Sequence, residues 1–236
     1  MRIEALADAE SVARAAAAFT AAEARAAVAA RGSFVVAFSG GHTPWQMLQA
    51  LANEPMPWDA VHIVQVDERV APAGDTDRNL THIRESLLAR CPLRPEQVHA
   101  MMVEATDLEA ACTSYALTLQ EIAGAPPVLD LAHLGLGPDG HTASLVPGDP
   151  VLDVIGVDVA LTGVYKGRRR MTLTYPILNR SRRIVWVVTG REKAEMLARL
   201  CRGDRSIPAG RISQEQALVL ADREAAARLG PELALR

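Results

Sequence analysis

The sequence predicts an α/β fold: an open, mainly parallel sheet flanked by helices on both faces. Three observations carry that expectation. Short unbroken apolar runs such as Phe34-Val35-Val36-Ala37-Phe38 and Ile184-Val185-Trp186-Val187-Val188 read as strands buried on both sides. Stretches of helical composition separate the runs, the pattern of βαβ crossovers. Glycine-rich or charged turns follow the runs, where an open α/β sheet presents its ligand site.

Bulk properties narrow the classes. The chain has 236 residues, 49% hydrophobic and 22% charged, an ordinary globular composition with enough length for a sizeable core. No repeat, low-complexity stretch or linker interrupts it, so one domain over 1–236 is expected. A net charge of −3 gives no reason to expect nucleic acid or an anionic membrane as partner. The basic residues are nearly all arginine; only Lys166 and Lys193 are lysine. Cys91, Cys112 and Cys201 form no CxxC and no zinc spacing, and read as reduced thiols. Residues 1–10 are acidic and unlike a leader, and no run approaches the roughly 20 apolar residues of a membrane span. A cytoplasmic monomer is the expectation.

In order along the chain, residues 9–31 are Ala-rich with Glu and Arg, a helix composition that Gly32 stops. The strand 34–38 runs into Ser39-Gly40-Gly41-His42-Thr43-Pro44, and residues 45–51 are helical. Strand, paired glycines and helix start together make an anion site. The backbone can approach an oxyanion closely, and the free N–H groups of the first turn point at it. Thr43 is the expected N-cap, with Pro44 at the first helical position. The spacing is neither a Walker A loop nor GxGxxG. Residues 61–66 form a second strand ending in Asp67-Glu68-Arg69, three charges expected to lie outside the core. Residues 73–78 are a loop, and 79–90 a helix with a stripe of Leu80, Ile83, Leu87 and Leu88. A short strand at 98–102 precedes a helix over 107–122, capped by Asp107, with Glu109 in its first turn. Gly124-Ala125-Pro126-Pro127 breaks that helix.

The apolar run 128–136 predicts another strand, and the chain then turns on Gly137, Pro138 and Gly140. Asp139 and His141 sit on that turn. A carboxylate and an imidazole delivered beyond a strand end are candidates for acid/base work; the plainer alternative is a tight turn whose Asp caps the next helix. Gly135 to Gly140 formally matches GxGxxG, but Asp139 would face a pyrophosphate, Pro138 stiffens the loop, and Pro147 limits any following helix. Residues 156–165 predict a strand, 166–170 a basic solvated turn, and 171–175 an alternating strand that Pro176 ends. The run 183–188 is a strand ending in Thr189-Gly190. A helix over 192–200 carries Lys193 in its first turn, where a cation opposes the helix dipole unless it meets an anion. A strand at 217–220 and a helix to 229 finish the chain.

Three strand ends therefore carry unusual chemistry, and Lys193 and Arg170 add cations. The physical reading is a phosphate clamp beside an acid/base centre, for a small phosphorylated substrate.

Taken together and in this order, SGGHTP, DER, LGLGPDGHTASL, RMTLT and TGREK resemble the 6-phosphogluconolactonase family across nearly the whole chain. That family has a Rossmann-like fold similar to the glucosamine-6-phosphate deaminase group. The resemblance implies hydrolysis of 6-phosphoglucono-1,5-lactone in the pentose phosphate pathway, with no metal or other cofactor. It implies His141 as the general base activating water and Arg69 as the group holding substrate and developing charge. It makes Asp139 and Asp67 orienting groups, the division between them left open. Ser39, Gly40, Gly41, Thr43, Arg170 and Lys193 take the phosphate-binding positions. His42 and Arg78 depart from the family, which often has Ser at both places. The nearest alternative, a sugar-phosphate deaminase or isomerase, carries a Glu where this chain has Val146 and an aromatic residue where it has Arg69. A non-catalytic phosphosugar-binding regulator is the other alternative; it needs neither His141 nor Arg69.

Overall fold

A computed structural model describes residues 1–230, with residue 42 described by its backbone alone. Strand β1 (Arg2–Leu6) opens the chain, followed by helix α1 (Ala9–Arg31), β2 (Phe34–Phe38), α2 (His42–Leu51), β3 (Val61–Gln65), β4 (Asp67–Arg69), α3 (Asn79–Ser86) and β5 (Val98–His99). Then come α4 (Leu108–Ala123), β6 (Leu131–Leu134), β7 (Val159–Leu161), β8 (Arg170–Leu173), α5 (Tyr175–Arg180), β9 (Arg183–Val188), α6 (Ala194–Cys201) and β10 (Ala217–Asp222).

Seven strands form one sheet in the order β1-β10-β9-β6-β2-β3-β5, and every pairing within it is parallel. Successive residues of a strand face opposite sides, so each apolar run feeds two cores. Val36, Ile63, Val185, Val187 and Leu218 pack under α1 and α2, with Ile83 of α3. Val35, Ala37, Val64, Trp186, Val188 and Val219 pack against α4, α5 and α6. The expected sheet with helices on both faces is therefore present. Helix α1 lays an alanine-rich stripe (Ala13, Ala16, Ala17, Ala21, Ala24) on the sheet, and small side chains allow close approach. The Asp8 carboxylate caps it by accepting from the Ser11 N–H, and Gly32 ends it at a φ of 82°.

Beside this sheet lies a second one, antiparallel, in the order β4-β8-β7. It corrects the expectation that Asp67, Glu68 and Arg69 form a solvated strand end. They are a strand, paired with Arg170 to Thr172, and Glu68 is fully buried. The residue types were read by their usual exposure; burial here is compensated by partners that only the fold supplies. Arg170 likewise leaves the basic turn and opens β8.

Other boundaries shift. β1 was not anticipated, because its five residues are part polar and pair on an edge with β10. β6, β5 and β7 are shorter than the runs that predict them: the ends of the β6 run continue into largely buried loop, whereas Met102 beyond β5 and Val157 and Val164 flanking β7 are exposed. Pro176 starts α5 rather than breaking the chain, since proline suits a first turn. The helix expected after β10 is a single 3-10 turn, Ala225–Arg228. Among the described residues no helix is long and apolar enough to cross a membrane.

Candidate active site

The carboxyl ends of β2, β3, β6, β9 and β10 face one edge of the parallel sheet, and a cavity of about 670 Å³ opens there. Its wall includes Ser39, Gly40, Gly41, Thr43, Asp67, Arg69, His141, Arg170 and Lys193. Nine of the ten site residues expected from the sequence thus border one space; the tenth, Asp139, stands directly behind His141.

The turn after β6 is built tightly. Gly137 N–H donates to the His141 carbonyl at 2.8 Å, and Gly140 adopts a φ of 83°. A Cβ on Gly137 would lie 2.1 Å from His141 Nδ1, so the imidazole folds over a residue that must have no side chain. Nδ1 meets Asp139 Oδ1 at 2.5 Å. A carboxylate accepts, so Nδ1 carries the proton and Nε2 keeps its lone pair. Burial pushes the imidazole below its ordinary pKa of 6.5, opposed by the nearby Asp139 and Asp67 and reinforced by Arg170. The ring is thus held neutral at physiological pH, rather than left unperturbed. Burial raises the Asp139 pKa, but the charge and hydrogen bonds of His141 and the Tyr165 hydroxyl outweigh it and hold the group low.

Asp67 acts on His141 through its charge, and its hydrogen bonds go elsewhere. It accepts from Ser144 Oγ at 2.6 Å and from Asn79 Nδ2 at 3.2 Å. Ser144 in turn lies 3.4 Å from an Arg170 terminal nitrogen, so Asp67, Ser144 and Arg170 form one buried row. Arg69 donates to the Asp77 carbonyl at 2.6 Å and to Asn79 Oδ1 at 2.7 Å. The Nε atoms of Arg69 and Arg170 are buried and have no hydrogen-bond partner in the protein. Both guanidinium groups border the cavity, and a guanidinium there is the chemically matched partner for an oxyanion.

The glycine loop is corrected in detail. Gly41, at a φ of 126°, is the N-cap of α2, with no side-chain cap bond; Thr43 is not the cap. Its hydroxyl pairs instead with Thr189 Oγ1 at 2.5 Å, tying the loop after β2 to the loop after β9. Pro44 falls one residue inside Thr43, still among the four N–H positions a helix start leaves free. Gly40 is required by Asn79, whose Oδ1 would stand 1.7 Å from an added Cβ. Ser39 turns its polar groups inward, its hydroxyl to the His133 carbonyl at 3.0 Å and its N–H to His133 Nδ1 at 3.3 Å. The side chain of His42 lies outside the described residues.

Lys193 stands at the N-cap of α6, after a 3-10 turn over Arg191–Lys193. Burial lowers its pKa against the pull of Glu192, the mark of an ammonium short of solvation. Lys166 borders the same cavity and was missed. A signal existed, since both lysines of the chain line this one space. Arg78, noted as a departure beside Asn79, is buried and binds Glu68 and Glu104 rather than the cavity. Among the described residues no cluster of three or more His, Cys, Asp or Glu is arranged to hold a metal ion.

Comparison with known proteins places this geometry. The profile described as "Glucosamine-6-phosphate isomerases/6-phosphogluconolactonase" matches residues 7–220. The 6-phosphogluconolactonase of Synechocystis sp. is 35% identical over 213 residues, covering 87% of this chain and 88% of its own. The crystal structure of 6-phosphogluconolactonase from Thermotoga maritima superposes with a TM-score of 0.82 at 27% identity, over 94% of this chain and 98% of that one. A monomeric glucosamine-6-phosphate deaminase also superposes, with a TM-score of 0.82 at 21% identity, over 97% of this chain and 100% of that one. The fold is shared by both groups, so it does not choose between their reactions.

Proposed function

The chain belongs to the glucosamine-6-phosphate isomerase/6-phosphogluconolactonase family, and on that premise we propose that it hydrolyses 6-phospho-D-glucono-1,5-lactone to 6-phospho-D-gluconate. The reaction is the lactonase step of the oxidative pentose phosphate pathway, in the cytoplasm, carried out by one domain acting as a monomer. The observation that carries this reading is the His141–Asp139 pair, 2.5 Å apart, on a wall shared with four cationic side chains.

His141 Nε2 takes a proton from water, and the water oxygen adds to the lactone carbonyl carbon. Negative charge then develops on the carbonyl oxygen, and the Arg69 guanidinium stabilises it. Asp139 holds the imidazole orientation and supports the imidazolium that forms, as a carboxylate does for any such base. Collapse of the tetrahedral intermediate breaks the bond from C1 to the ring oxygen. The imidazolium returns its proton to that oxygen, leaving a hydroxyl and a carboxylic acid that ionises. Arg170, Lys193 and the free N–H groups at the start of α2 hold the phosphate, with Gly40, Gly41 and Thr43 shaping the loop and Ser39 fixing it.

The deaminase or isomerase alternative needs an additional carboxylate to move protons on carbon. The corresponding position is Val146, buried and apolar. Arg69 is retained where an aromatic residue would stand, and it brings charge that a mere sensor of phosphosugar does not require.

The test is lactone disappearance followed by NMR with the uncatalysed rate subtracted, glucosamine 6-phosphate being run in parallel. His141→Ala should lower kcat/KM by about 10²–10⁴-fold while circular dichroism stays native. Near-normal turnover in that variant eliminates His141 as base, and ammonia released from the amino sugar moves the protein to the deaminase class.

A further inference from the structure

The segment after β7 forms a tight hairpin. Tyr165 and Arg168 exchange backbone hydrogen bonds at 2.9 and 3.3 Å, with Lys166 and Gly167 between them at φ of 50° and 80°. Two successive positive φ values make the type I′ turn, whose twist suits paired strands. Arg168 anchors the hairpin to the opposite loop through Asp77 at 2.9 Å and Asp75 at 3.0 Å. The hairpin thereby brings Lys166 to the cavity wall and Tyr165 against the Asp139–His141 turn.

We propose that Tyr165 is a positioning residue for the His141–Asp139 pair, a role that rests on His141 being the base. Its hydroxyl donates to Asp139 Oδ2 at 3.1 Å, while Oδ1 serves His141 Nδ1 at 2.5 Å and the His141 N–H at 3.2 Å. Each carboxylate oxygen therefore has its own donor, and the plane of the carboxylate is set from both sides. The Tyr165 ring meets the His141 ring edge-on at 5.6 Å and 65°. The Arg170 guanidinium lies 5.1 Å from the same ring, and the Lys166 ammonium 5.3 Å, both within cation–π range. One side chain thus contacts both members of the pair and an arginine of the phosphate pocket.

The electrostatic consequence has a sign. A donor on Oδ2 takes up part of the Asp139 charge and leaves less of it to favour the imidazolium. Removing that donor strengthens the hold of Asp139 on a protonated His141, so the imidazole pKa rises. The other groups acting on His141 are Asp67 on β4 and Arg170 on β8; Lys166 sits beside Tyr165, and Lys193 before α6 feels Asp139. Tyr165→Phe keeps the ring and leaves all of these in place.

Tyr165→Phe should lower kcat about 10-fold, the loss of one hydrogen bond to a charged acceptor, with KM little changed. The acid limb of its kcat/KM profile should move to higher pH, and the His141 imidazole, assigned by comparison with His141→Asn, should titrate higher by NMR. Tyr165→Leu, which also removes the face beneath Arg170, should raise KM in addition. A purely structural tyrosine would lower the melting temperature and leave both titrations where they are. An unchanged imidazole titration in Tyr165→Phe overturns the proposal. A shifted titration in a protein without lactonase activity upholds the positioning and places the failure in the proposed reaction.

Discussion

Glu68 and Arg69 are neighbours on β4, yet they end in opposite situations. Glu68 is fully buried, and its two oxygens accept from Gln65 Nε2 and from the N–H groups of Arg69, Asn79 and Leu80, each at 2.8 Å. Arg78 adds a charge at 3.6 Å. The carboxylate thus sits at the N-terminus of α3, where the helix dipole favours an anion. One residue on, Arg69 borders the cavity, as does Arg170 across the ladder. A charge enclosed among protein partners belongs to the fold; a cation that borders the cavity is placed for something that arrives. Substitutions at Glu68, His133 and Lys193 test that division.

On the satisfied side, Glu68→Gln should destabilise the protein by about 3–5 kcal/mol, the cost of breaking a buried, multiply bonded charge pair. Urea unfolding reads it. A loss below about 1 kcal/mol would make Glu68 no more structural than a surface ion and would erase the contrast.

His133 is a second buried group that does not border the cavity. It sits in β6 beneath the glycine loop, and burial pushes its pKa down to about 3. Between that value and the ordinary 6.5 the unfolded chain binds a proton that the folded chain does not. The contribution of His133 to stability is complete above 6.5 and is lost as pH falls toward 3. Going from pH 7 to 4.5, the wild type should lose about 2–3 kcal/mol more stability than His133→Gln. Parallel pH curves for the two proteins would show that His133 does not report this burial.

The smallest effect belongs to the cavity side, which Lys193 borders. Lys193→Ala should raise KM for the phosphorylated lactone about tenfold, or about 1.4 kcal/mol, with kcat and melting temperature nearly unchanged. A fall in kcat at constant KM would assign Lys193 to the transition state instead. A drop in melting temperature would make it structural, like Glu68.

Much of this was legible beforehand. The two-sided apolar runs, the glycine loop after β2 and the Asp139–His141 turn are local patterns, and local sterics and periodicity suffice to read them. The antiparallel β4-β8-β7 sheet was not legible, because β4 and β8 are far apart in sequence and β4 consists of charged residues. Nor was Tyr165 identified: its partner Asp139 lies 26 residues away, and nothing in the sequence pairs them.

Local residue pattern set where the backbone must turn, which runs must be buried, and which chemistry-bearing side chains stand at the ends of the strands. The tertiary structure alone decided which of those charges are spent. Asp139 goes to His141 and Tyr165, Asp67 to Ser144 and Asn79, Glu68 to α3, while Arg69 and Arg170 border the cavity. The physical reason is that burying an apolar side chain is favourable almost whatever its neighbours are, whereas a buried charge depends on particular atoms at hydrogen-bond distance.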